Sequence, residues 1–249
     1  MFDTVSAKAL VTGGVRGIGA ATCLELARQG FDIAVLDVRI DDEAEALGRE
    51  IVEMGRKASL VTVDLRSVDQ CKAAVRQAAE ELGGLSVVVN SAGGGFGVKA
   101  PFEEVSEAEF DLIMDVNLKG TFFVSQAAVP FLRQSGDGLI VNIASDAAYI
   151  GLPMNSVYSA SKGAVVTLTK AMARALAPHI RVNTVSPGPT ATERFKREGW
   201  ANDEEVKRMP LGRFAEPSDV ALSIAFLAGP GGRHYTGQTL DPNGGVAMR

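Results

Sequence analysis

Apolar residues recur along this chain in two alternating patterns. Short runs with few polar interruptions, such as Ile180–Val185, are typical of strands that are covered on both faces. Longer stretches between them place apolar residues three or four positions apart, as in a helix with one buried side. The pattern predicts strands at Ala7–Thr12, Phe31–Val38, Ala58–Leu65, Leu85–Asn90, Leu139–Ala144, Ile180–Val185 and Gln238–Leu240. It predicts helices ending at Gly30 and spanning Glu43–Met54, Asp69–Leu82, Ser106–Gln134, Ser156–Ala177 and Pro217–Leu227.

Alternating strands and helices favour an α/β fold, with a doubly wound parallel sheet of about seven strands and helices on both faces. No linker rich in Gly, Pro or Ser divides the sequence, so residues 1–249 are expected to form a single domain. The remaining length lies in Gly93–Glu104, Asp146–Asn155 and Pro187–Gly212. Each segment follows a strand, so we expect all three at the carboxyl edge of the sheet, where ligands bind. Residues 190–212 are the expected substrate lid.

Composition and charge narrow the class of protein. Hydrophobic residues make up 46% of the chain and charged residues 22%, as in an ordinary globular domain. The net charge of −5 and the absence of a basic run argue against a nucleic-acid partner. Without a signal-peptide pattern or a run of 18 apolar residues, we expect a cytoplasmic protein that does not contact a membrane. The charged stretch Thr192–Arg208 is expected to be a solvated helical face.

The metal-binding residue types are few and scattered. Cys23, Cys71, His179 and His234 show no ligand spacing, so no metal site is expected. Each cysteine is expected to be a small buried hydrophobe.

A glycine-rich segment, Gly13-x-x-x-Gly17-x-Gly19, joins the first strand to the first helix. Glycines there permit a tight turn and a close approach of a pyrophosphate, whose charge the helix N-terminus favours. Taken alone, the segment is also compatible with a plain turn. No Gly-Lys-Ser/Thr follows, which argues against a nucleotide triphosphate P-loop.

Asp37 ends the second predicted strand, where a dinucleotide-binding sheet carries an acid for the ribose hydroxyls. A carboxylate there repels a 2′-phosphate, so NAD is favoured over NADP. Arg16 and Arg39 argue for NADP, because either could reach a 2′-phosphate. We give Asp37 more weight, since a repulsive group beside the hydroxyl discriminates more strongly.

Tyr158 and Lys162 are four residues apart and therefore share one helix face. The ammonium is expected to lower the pKa of Tyr158 from about 10 and to make it an acid/base near neutral pH. Alone, such a pair is commonly found on a surface. Ser159-x-x-Lys162 also matches penicillin-binding proteins, but no Lys-Thr-Gly or Ser-Asp-Asn element accompanies it.

Together with Asp64-Leu65, Asn90-Ser-Ala-Gly93, Asn117, Ser145 and Pro187-Gly188, these motifs stand in the order found in one family. The chain resembles the classical short-chain dehydrogenases/reductases over essentially its whole length. Two departures are Ser91, where the family usually has Asn, and Pro242 near the last strand. The resemblance implies a Rossmann-type, NAD(P)-dependent oxidoreductase that interconverts a secondary alcohol and a ketone by hydride transfer.

The resemblance also implies four catalytic residues. Tyr158 would exchange a proton with the substrate oxygen, and Ser145 would hydrogen-bond that oxygen. Lys162 would lower the pKa of Tyr158 and bind the nicotinamide ribose, and Asn117 would hold a water linking Lys162 to solvent. The implied cofactor contacts are Gly13, Arg16, Gly17, Ile18, Gly19, Asp37, Asp64, Leu65, Asn90, Ala92, Gly93, Tyr158, Lys162, Pro187, Gly188, Thr190 and Thr192.

The amino-acid sequence is compatible with alternative functions. Within the enzyme class, the second interpretation is an NADPH-dependent 3-oxoacyl thioester reductase, which Asp37 disfavours. A catalytically inactive dinucleotide sensor is disfavoured by the presence of Tyr158 and Lys162, and a structural or nucleic-acid-binding module by the lack of a basic stripe. The expected partners are a small alcohol or ketone and further copies of the chain, as a homotetramer or homodimer formed through the two long helices.

Overall fold

The computed structural model describes residues 7–248 and shows seven strands in one sheet. All six strand pairs are parallel, in the order β3-β2-β1-β4-β5-β6-β7. The strands are β1 (Lys8–Thr12), β2 (Asp32–Asp37), β3 (Ala58–Thr62), β4 (Val87–Asn90), β5 (Gly138–Ile143), β6 (Ile180–Val185) and β7 (Thr239–Leu240). The predicted doubly wound parallel sheet is therefore confirmed.

Ten α-helices accompany these strands in the described part of the chain. They are α1 (Gly17–Arg28), α2 (Asp42–Glu53), α3 (Val68–Leu82), α4 (Glu107–Met114), α5 (Thr121–Gln134), α6 (Ala147–Ile150), α7 (Ser156–Leu176), α8 (Glu193–Arg197), α9 (Asp203–Lys207) and α10 (Pro217–Ala228). Short 3₁₀ turns occupy Phe102–Glu104 and Pro230–Gly232. None of the helices between residues 7 and 248 is both long and apolar enough to cross a membrane.

Two hydrophobic cores cover the two faces of the sheet. On one face, α1, α2 and α10 supply side chains such as Leu26, Ile51 and Ile224. On the other, α3, α5 and α7 supply side chains such as Val75 and Leu132. Burial on both faces explains why the strands read as nearly continuous apolar runs. Cys23 and Cys71 lie in these cores, as expected, and burial raises the pKa of both thiols.

The strand and helix predictions are wrong mainly at the ends of elements. The strand predicted at Ala58–Leu65 stops at Thr62, because the chain then turns with the N–H of Ser67 donating to the carbonyl of Asp64. The segment Leu85–Asn90 pairs only from Val87. Apolar residues continue past the hydrogen-bonded ladder at both places, so hydrophobicity alone overestimates strand length.

The helix predicted from Ser106 to Gln134 is not regular. It begins with a capping box between Ser106 and Glu109, as α4, and ends as α5. Between them, Asp115–Gly120 forms a turn of π-helix that contains Asn117. Such bulges are frequent at functional sites, and the apolar pattern of the sequence did not reveal this one.

The three segments predicted at the carboxyl edge do follow β4, β5 and β6. The lid region 190–212 contains α8 and α9 rather than an open loop. Ion pairs three residues apart, such as Lys196–Glu193 and Lys207–Glu204, lie on these helices. The expectation of a solvated helical face at Thr192–Arg208 is confirmed. The lid base is fixed to the body by a bridge between Thr190 and Ala215.

Candidate active site

The glycine-rich turn between β1 and α1 leaves no room for side chains. Gly13 has a φ of 61° and Gly17 a φ of 57°, which favour glycine. A Cβ on Gly13 would lie 2.7 Å from the Cα of Ala92, and one on Gly19 would lie 2.0 Å from the carbonyl oxygen of Gly13. The turn is therefore packed backbone against backbone, beside the end of β4.

The N-terminus of α1 is open to an anion. Arg16 occupies the cap position, but its side chain makes no capping hydrogen bond to the first turn. The first N–H groups of this 12-residue helix thus lack a side-chain acceptor and carry the positive end of the helix dipole. Thr192 lies over the turn, 3.1 Å from where a Cβ on Gly17 would be. This cradle fits the pyrophosphate of a dinucleotide.

Asp37, at the end of β2, is tied to the same turn. One carboxylate oxygen accepts a hydrogen bond from the N–H of Val15 at 3.2 Å, and the other from the N–H of Val38 at 2.8 Å. Arg16 is held by the carboxylates of Asp41 and Glu43 at the start of α2. The acid is therefore fixed beside the cradle, while this arginine already has two acidic partners.

Asp64 and Leu65 follow β3, and their side chains have different surroundings. Asp64 accepts two hydrogen bonds from the guanidinium of Arg66, which lowers the pKa of that carboxyl. Leu65 is buried, with its Cβ 2.8 Å from where a Cβ on Gly120 would lie. Leu65 thus packs against the helical bulge.

The Asn90 side chain bonds within the protein, and the predicted contact of this residue with the cofactor stays a prediction. Its amide nitrogen donates to Ser125 at 2.9 Å and to Asn142 at 2.8 Å, within the layer between the sheet and the helices. Asn142 in turn donates to Thr169 at 2.8 Å. The neighbouring Ala92 does lie at the cradle, and its N–H donates to Thr12 at 3.2 Å.

Asn117 fastens the loop after β4 to α7. Its side chain accepts from the N–H of Gly94 at 3.0 Å and donates to Ser161 at 2.9 Å. A Cβ on Gly93 would lie 2.6 Å from the Asn117 oxygen and 3.2 Å from the Lys162 nitrogen. Gly93, Asn117 and Lys162 therefore meet at one point, although the amide of Asn117 bonds Gly94 and Ser161 directly.

Lys162 is buried and binds the end of β5. Its ammonium donates to the carbonyl of Ile143 at 2.7 Å. Burial lowers its pKa from 10.5 to about 8, because a low-dielectric environment disfavours the charged form. The ammonium lies 5.9 Å from the ring centroid of Tyr158, so both side chains share one face of α7, as predicted.

The pKa of Tyr158 moves opposite to the sequence-based expectation. Burial raises the pKa of the phenol above 10, and the charge of Asp146 adds to the effect. A hydrogen bond with Ser145 and the charge of Arg194 act in the lowering direction but do not prevail. Tyr158 is therefore a protonated phenol at neutral pH in the cofactor-free protein, suited to donating a proton.

Ser145 follows β5 and touches Tyr158 across the site. Its hydroxyl donates to the carboxyl of Asp146 at 2.9 Å, accepts from the N–H of Ala147 at 3.2 Å, and lies close enough to Tyr158 to act on the pKa of the phenol in the lowering direction. The backbone N–H of Asp146 donates to the carbonyl of Pro187 at 3.0 Å, which joins this segment to the loop after β6. The structure thus brings Ser145, Tyr158 and Lys162 together.

The loop after β6 carries the remaining predicted contacts. Gly188 approaches Asn243 so closely that a Cβ would lie 2.8 Å from its carbonyl oxygen. Thr190 donates to the carbonyl of Gly188 at 2.9 Å. Thr192 caps α8 by accepting from the N–H of Phe195 at 3.1 Å. These bonds order the lid base, where Thr192 also lies over the glycine-rich turn.

Two residues of the site were missed by sequence reasoning. Ser161 links Asn117 to the carbonyl of Tyr158, to which it donates at 2.7 Å. Its position three residues after Tyr158 places it on the same helix face, and that spacing could have revealed it. Asp146 gave no such signal, because only the fold shows that it is buried.

Known proteins match this chain over nearly all its length. A family model described as enoyl-(acyl carrier protein) reductase matches residues 13–247. The 3-oxoacyl-[acyl-carrier-protein] reductase of Staphylococcus aureus is 35% identical over 244 residues, which cover 96% of this chain and 98% of that protein.

Solved structures are also similar to this chain. A blue fluorescent protein from a metagenomic library, in complex with NADPH, has a TM-score of 0.92 at 36% identity, covering 99% of this chain and 100% of its own. A short chain dehydrogenase from Burkholderia cenocepacia J2315, in complex with NADP, has a TM-score of 0.91 at 35% identity, covering 97% and 98%.

The parallel sheet, the open glycine-rich cradle and these likenesses define an oxidoreductase that binds a nicotinamide cofactor. More narrowly, the chain belongs to the short-chain dehydrogenase/reductase family.

The buried charge of Lys162 leads to a prediction about stability. We expect Lys162→Met to raise the free energy of unfolding at pH 7 by about 1–3 kcal/mol, because the apolar side chain needs no solvation. The gain should shrink as pH rises from about 8 to 10.5, where the folded wild-type protein holds a neutral amine while the unfolded chain remains protonated. Urea unfolding across this pH range measures both effects.

Lys170→Met is the matched control, since Lys170 is exposed on the same helix. Its effect should stay within about 0.5 kcal/mol, as for other surface substitutions, and should not vary in the same way with pH. A Lys162→Met protein less stable than wild type at pH 7 contradicts the prediction.

Proposed function

We propose that this protein is an NAD-dependent oxidoreductase that interconverts a secondary alcohol and a ketone by hydride transfer. The observation that supports it most is the contact between the phenol of Tyr158 and the hydroxyl of Ser145, beside the buried ammonium of Lys162. Two hydroxyls that meet in this way can both reach one substrate oxygen. The nicotinamide, when bound, supplies or accepts the hydride.

The chain's own groups account for the proton. In reduction, Tyr158 donates its hydroxyl proton to the substrate oxygen while Ser145 donates a hydrogen bond to it. In oxidation, Tyr158 must first lose its proton and then takes one from the alcohol. Hydrogen-bond donors placed around the oxygen stabilise the negative charge that develops there. Asn117 and Ser161 hold the loop and the helix that carry these groups.

Asp37 supports NAD as the cofactor. Its carboxylate is anchored by Val15 and stands beside the cradle, where it can accept from both ribose hydroxyls. Arg16, which could serve a 2′-phosphate, is paired with Asp41 and Glu43 instead. The two solved relatives are complexes with NADPH and NADP rather than with NAD, so the cofactor of this chain has to be tested directly.

A second candidate is reduction of a 3-oxoacyl thioester with NADPH. Its support is the 35% identity to the Staphylococcus aureus 3-oxoacyl-[acyl-carrier-protein] reductase. Asp37 argues against its cofactor. Side chains of the lid and of the loop after β4 combine positive charge with aromatic rings. Lys99 lies 5.0 Å from the centroid of the Trp200 ring, and Arg194 lies 5.5 Å from that of Phe96. Comparing sugars, steroids, hydroxy acids and acyl thioesters as substrates distinguishes the candidates.

Tyr158→Phe should abolish turnover while leaving the dissociation constant for NADH within a few-fold of wild type. The phenol hydroxyl is the proton donor, and loss of a general acid slows catalysis by about 10²–10⁴-fold. Steady-state rates on the best substrate of the panel and fluorescence titration with NADH measure the two effects. A variant that keeps more than half the wild-type kcat removes Tyr158 from the mechanism. A wild-type protein that binds NADH but turns over nothing is a sensor instead.

For the cofactor, wild type should show a kcat/KM with NAD about 10²-fold or more above that with NADP. Charge-assisted hydrogen bonds to the ribose contribute about 1.5–3 kcal/mol, and a 2′-phosphate meets a fixed negative charge. Asp37→Asn keeps a side-chain acceptor for Val15 but removes the charge, so it should lose most of the discrimination. Asp37→Ala should also loosen the cradle and weaken both cofactors. If wild type prefers NADP, Asp37 does not determine the cofactor in the proposed way.

We also propose that the chain associates with further copies of itself through its long helices. A groove between α4–α5 and α7 is lined mainly by apolar side chains, among them Leu118, Phe122 and Leu168, together with the ion pair of Asp115 and Lys119. Phe122 is 42% exposed there. On α7, Val165 lies in the core, while Leu168 and Ala171 line the groove.

Phe122→Glu should therefore shift the molar mass by light scattering from a tetramer or dimer toward a smaller species, because a buried unpaired charge is costly. Val52→Glu, at an exposed apolar residue on α2, is the control and should leave the mass unchanged. A monomeric wild-type protein at micromolar concentration contradicts the assembly proposal but not the enzymatic one.

A further inference from the structure

The hydroxyl of Ser145 has its hydrogen committed to a neighbouring side chain. A serine hydroxyl carries one hydrogen and two lone pairs. In this structure it donates that hydrogen to Asp146 at 2.9 Å, and its oxygen accepts from the N–H of Ala147 at 3.2 Å. No hydrogen is left for a substrate.

Asp146 is the neighbour whose own state can change. It is 7% exposed, and its backbone is held by the carbonyl of Pro187. Burial raises the pKa of its carboxyl above the ordinary value of 3.8. The hydrogen bond from Ser145 and the N–H of Ala147 oppose this effect, and the charge of Glu205 on the lid adds to it.

Two hydrogen-bond patterns follow from the protonation of Asp146, and they exclude each other. With an ionised carboxylate, Ser145 gives its hydrogen to Asp146 and accepts from Ala147. With a protonated carboxyl, Asp146 can donate to the serine oxygen, which then accepts from Asp146 and Ala147. Only in the second pattern is the serine hydrogen free for another acceptor.

We propose that Asp146 is a positioning residue, whose carboxyl group sets whether the Ser145 hydroxyl donates to that carboxyl or to the substrate oxygen. The inference rests on the proposed function, in which Ser145 stabilises the reacting oxygen. It identifies a buried acid, next to the serine in sequence, as the group that controls the serine's hydrogen.

The direction of the effect follows from the transition state. Negative charge develops on the substrate oxygen, so the form in which Ser145 is a donor is the more active one. Reduction and oxidation share this transition state, and both need the protonated carboxyl. Activity therefore falls as pH rises through the ionisation of Asp146. The other titratable or charged groups that act here are Glu205, Tyr158 and, through Tyr158, Arg194.

The test is the pH profile of kcat/KM for reduction of ethyl acetoacetate, a soluble 3-oxo ester, with NADH. Wild type should show a limb that falls about tenfold per pH unit above the ionisation of Asp146. Asp146→Asn and Asp146→Ala cannot ionise at this position, so both should lack that limb while other limbs remain. Asp137→Asn makes the same charge change before the opposite end of β5 and should keep the wild-type profile.

A second readout needs no cofactor or substrate. The charge of Asp146 raises the pKa of Tyr158, so Asp146→Asn should move the ultraviolet phenolate titration of Tyr158 to lower pH. Tyr158→Phe identifies this signal among the 3 tyrosines of the chain. An unchanged titration or a retained limb in Asp146→Asn overturns the inference.

Ser145→Ala separates this inference from the proposed function. Removing one donor to the oxygen should lower kcat by about 10²-fold. If it does so while Asp146→Asn keeps the wild-type profile, Asp146 has no positioning role and the proposed function stands. If Ser145→Ala and Tyr158→Phe both retain turnover, the proposed function itself fails.

Discussion

The bond between the Lys162 ammonium and the carbonyl of Ile143 is the constraint around which the site is arranged. A buried ammonium needs an acceptor, and the carbonyl of Ile143 at the carboxyl end of β5 supplies one. This bond fixes α7, and with it Tyr158, over the edge of the sheet. Gly93 must then lack a side chain, since a Cβ would lie 3.2 Å from the lysine nitrogen. The bulge that carries Asn117 closes the same space from the other side.

A line of buried polar side chains ties this site to the middle of the sheet. Asn90 bonds Asn142, Asn142 bonds Thr169, and Thr169 accepts from Thr184 at 2.9 Å. Each partner lies on a different element, so the bonds form only when β4, β5, α7 and β6 share one register. Polar groups in a core otherwise weaken a fold, but hydrogen bonds between them favour one arrangement of the elements that carry them. Residues that fix the register of β4, β5 and β6 thus lie next to the residues that form the site.

The amino-acid sequence predicts the sheet, its order of elements and the shared helix face of Tyr158 and Lys162, because apolar runs and motif spacing are local. The place of Ser145 beside them is expected only from the family resemblance. Sequence fails where tertiary surroundings decide. The spacing of Tyr158 and Lys162 suggested a lowered tyrosine pKa, yet burial raises it. That outcome cannot be derived without knowing what covers the phenol.

The pKa values of the site have a consequence for the direction of catalysis. The cofactor-free protein holds Tyr158 as a phenol, with a lysine whose own pKa is lowered to about 8. Proton donation in reduction therefore needs no prior ionisation. Oxidation needs a phenolate, which positive charge or a donated hydrogen bond close to the phenol oxygen stabilises. Arg194 and Ser145 act in this direction but do not outweigh burial. In the proposed reaction these residues hold Tyr158 in the form that reduction uses, and oxidation would need the pKa of Tyr158 to fall.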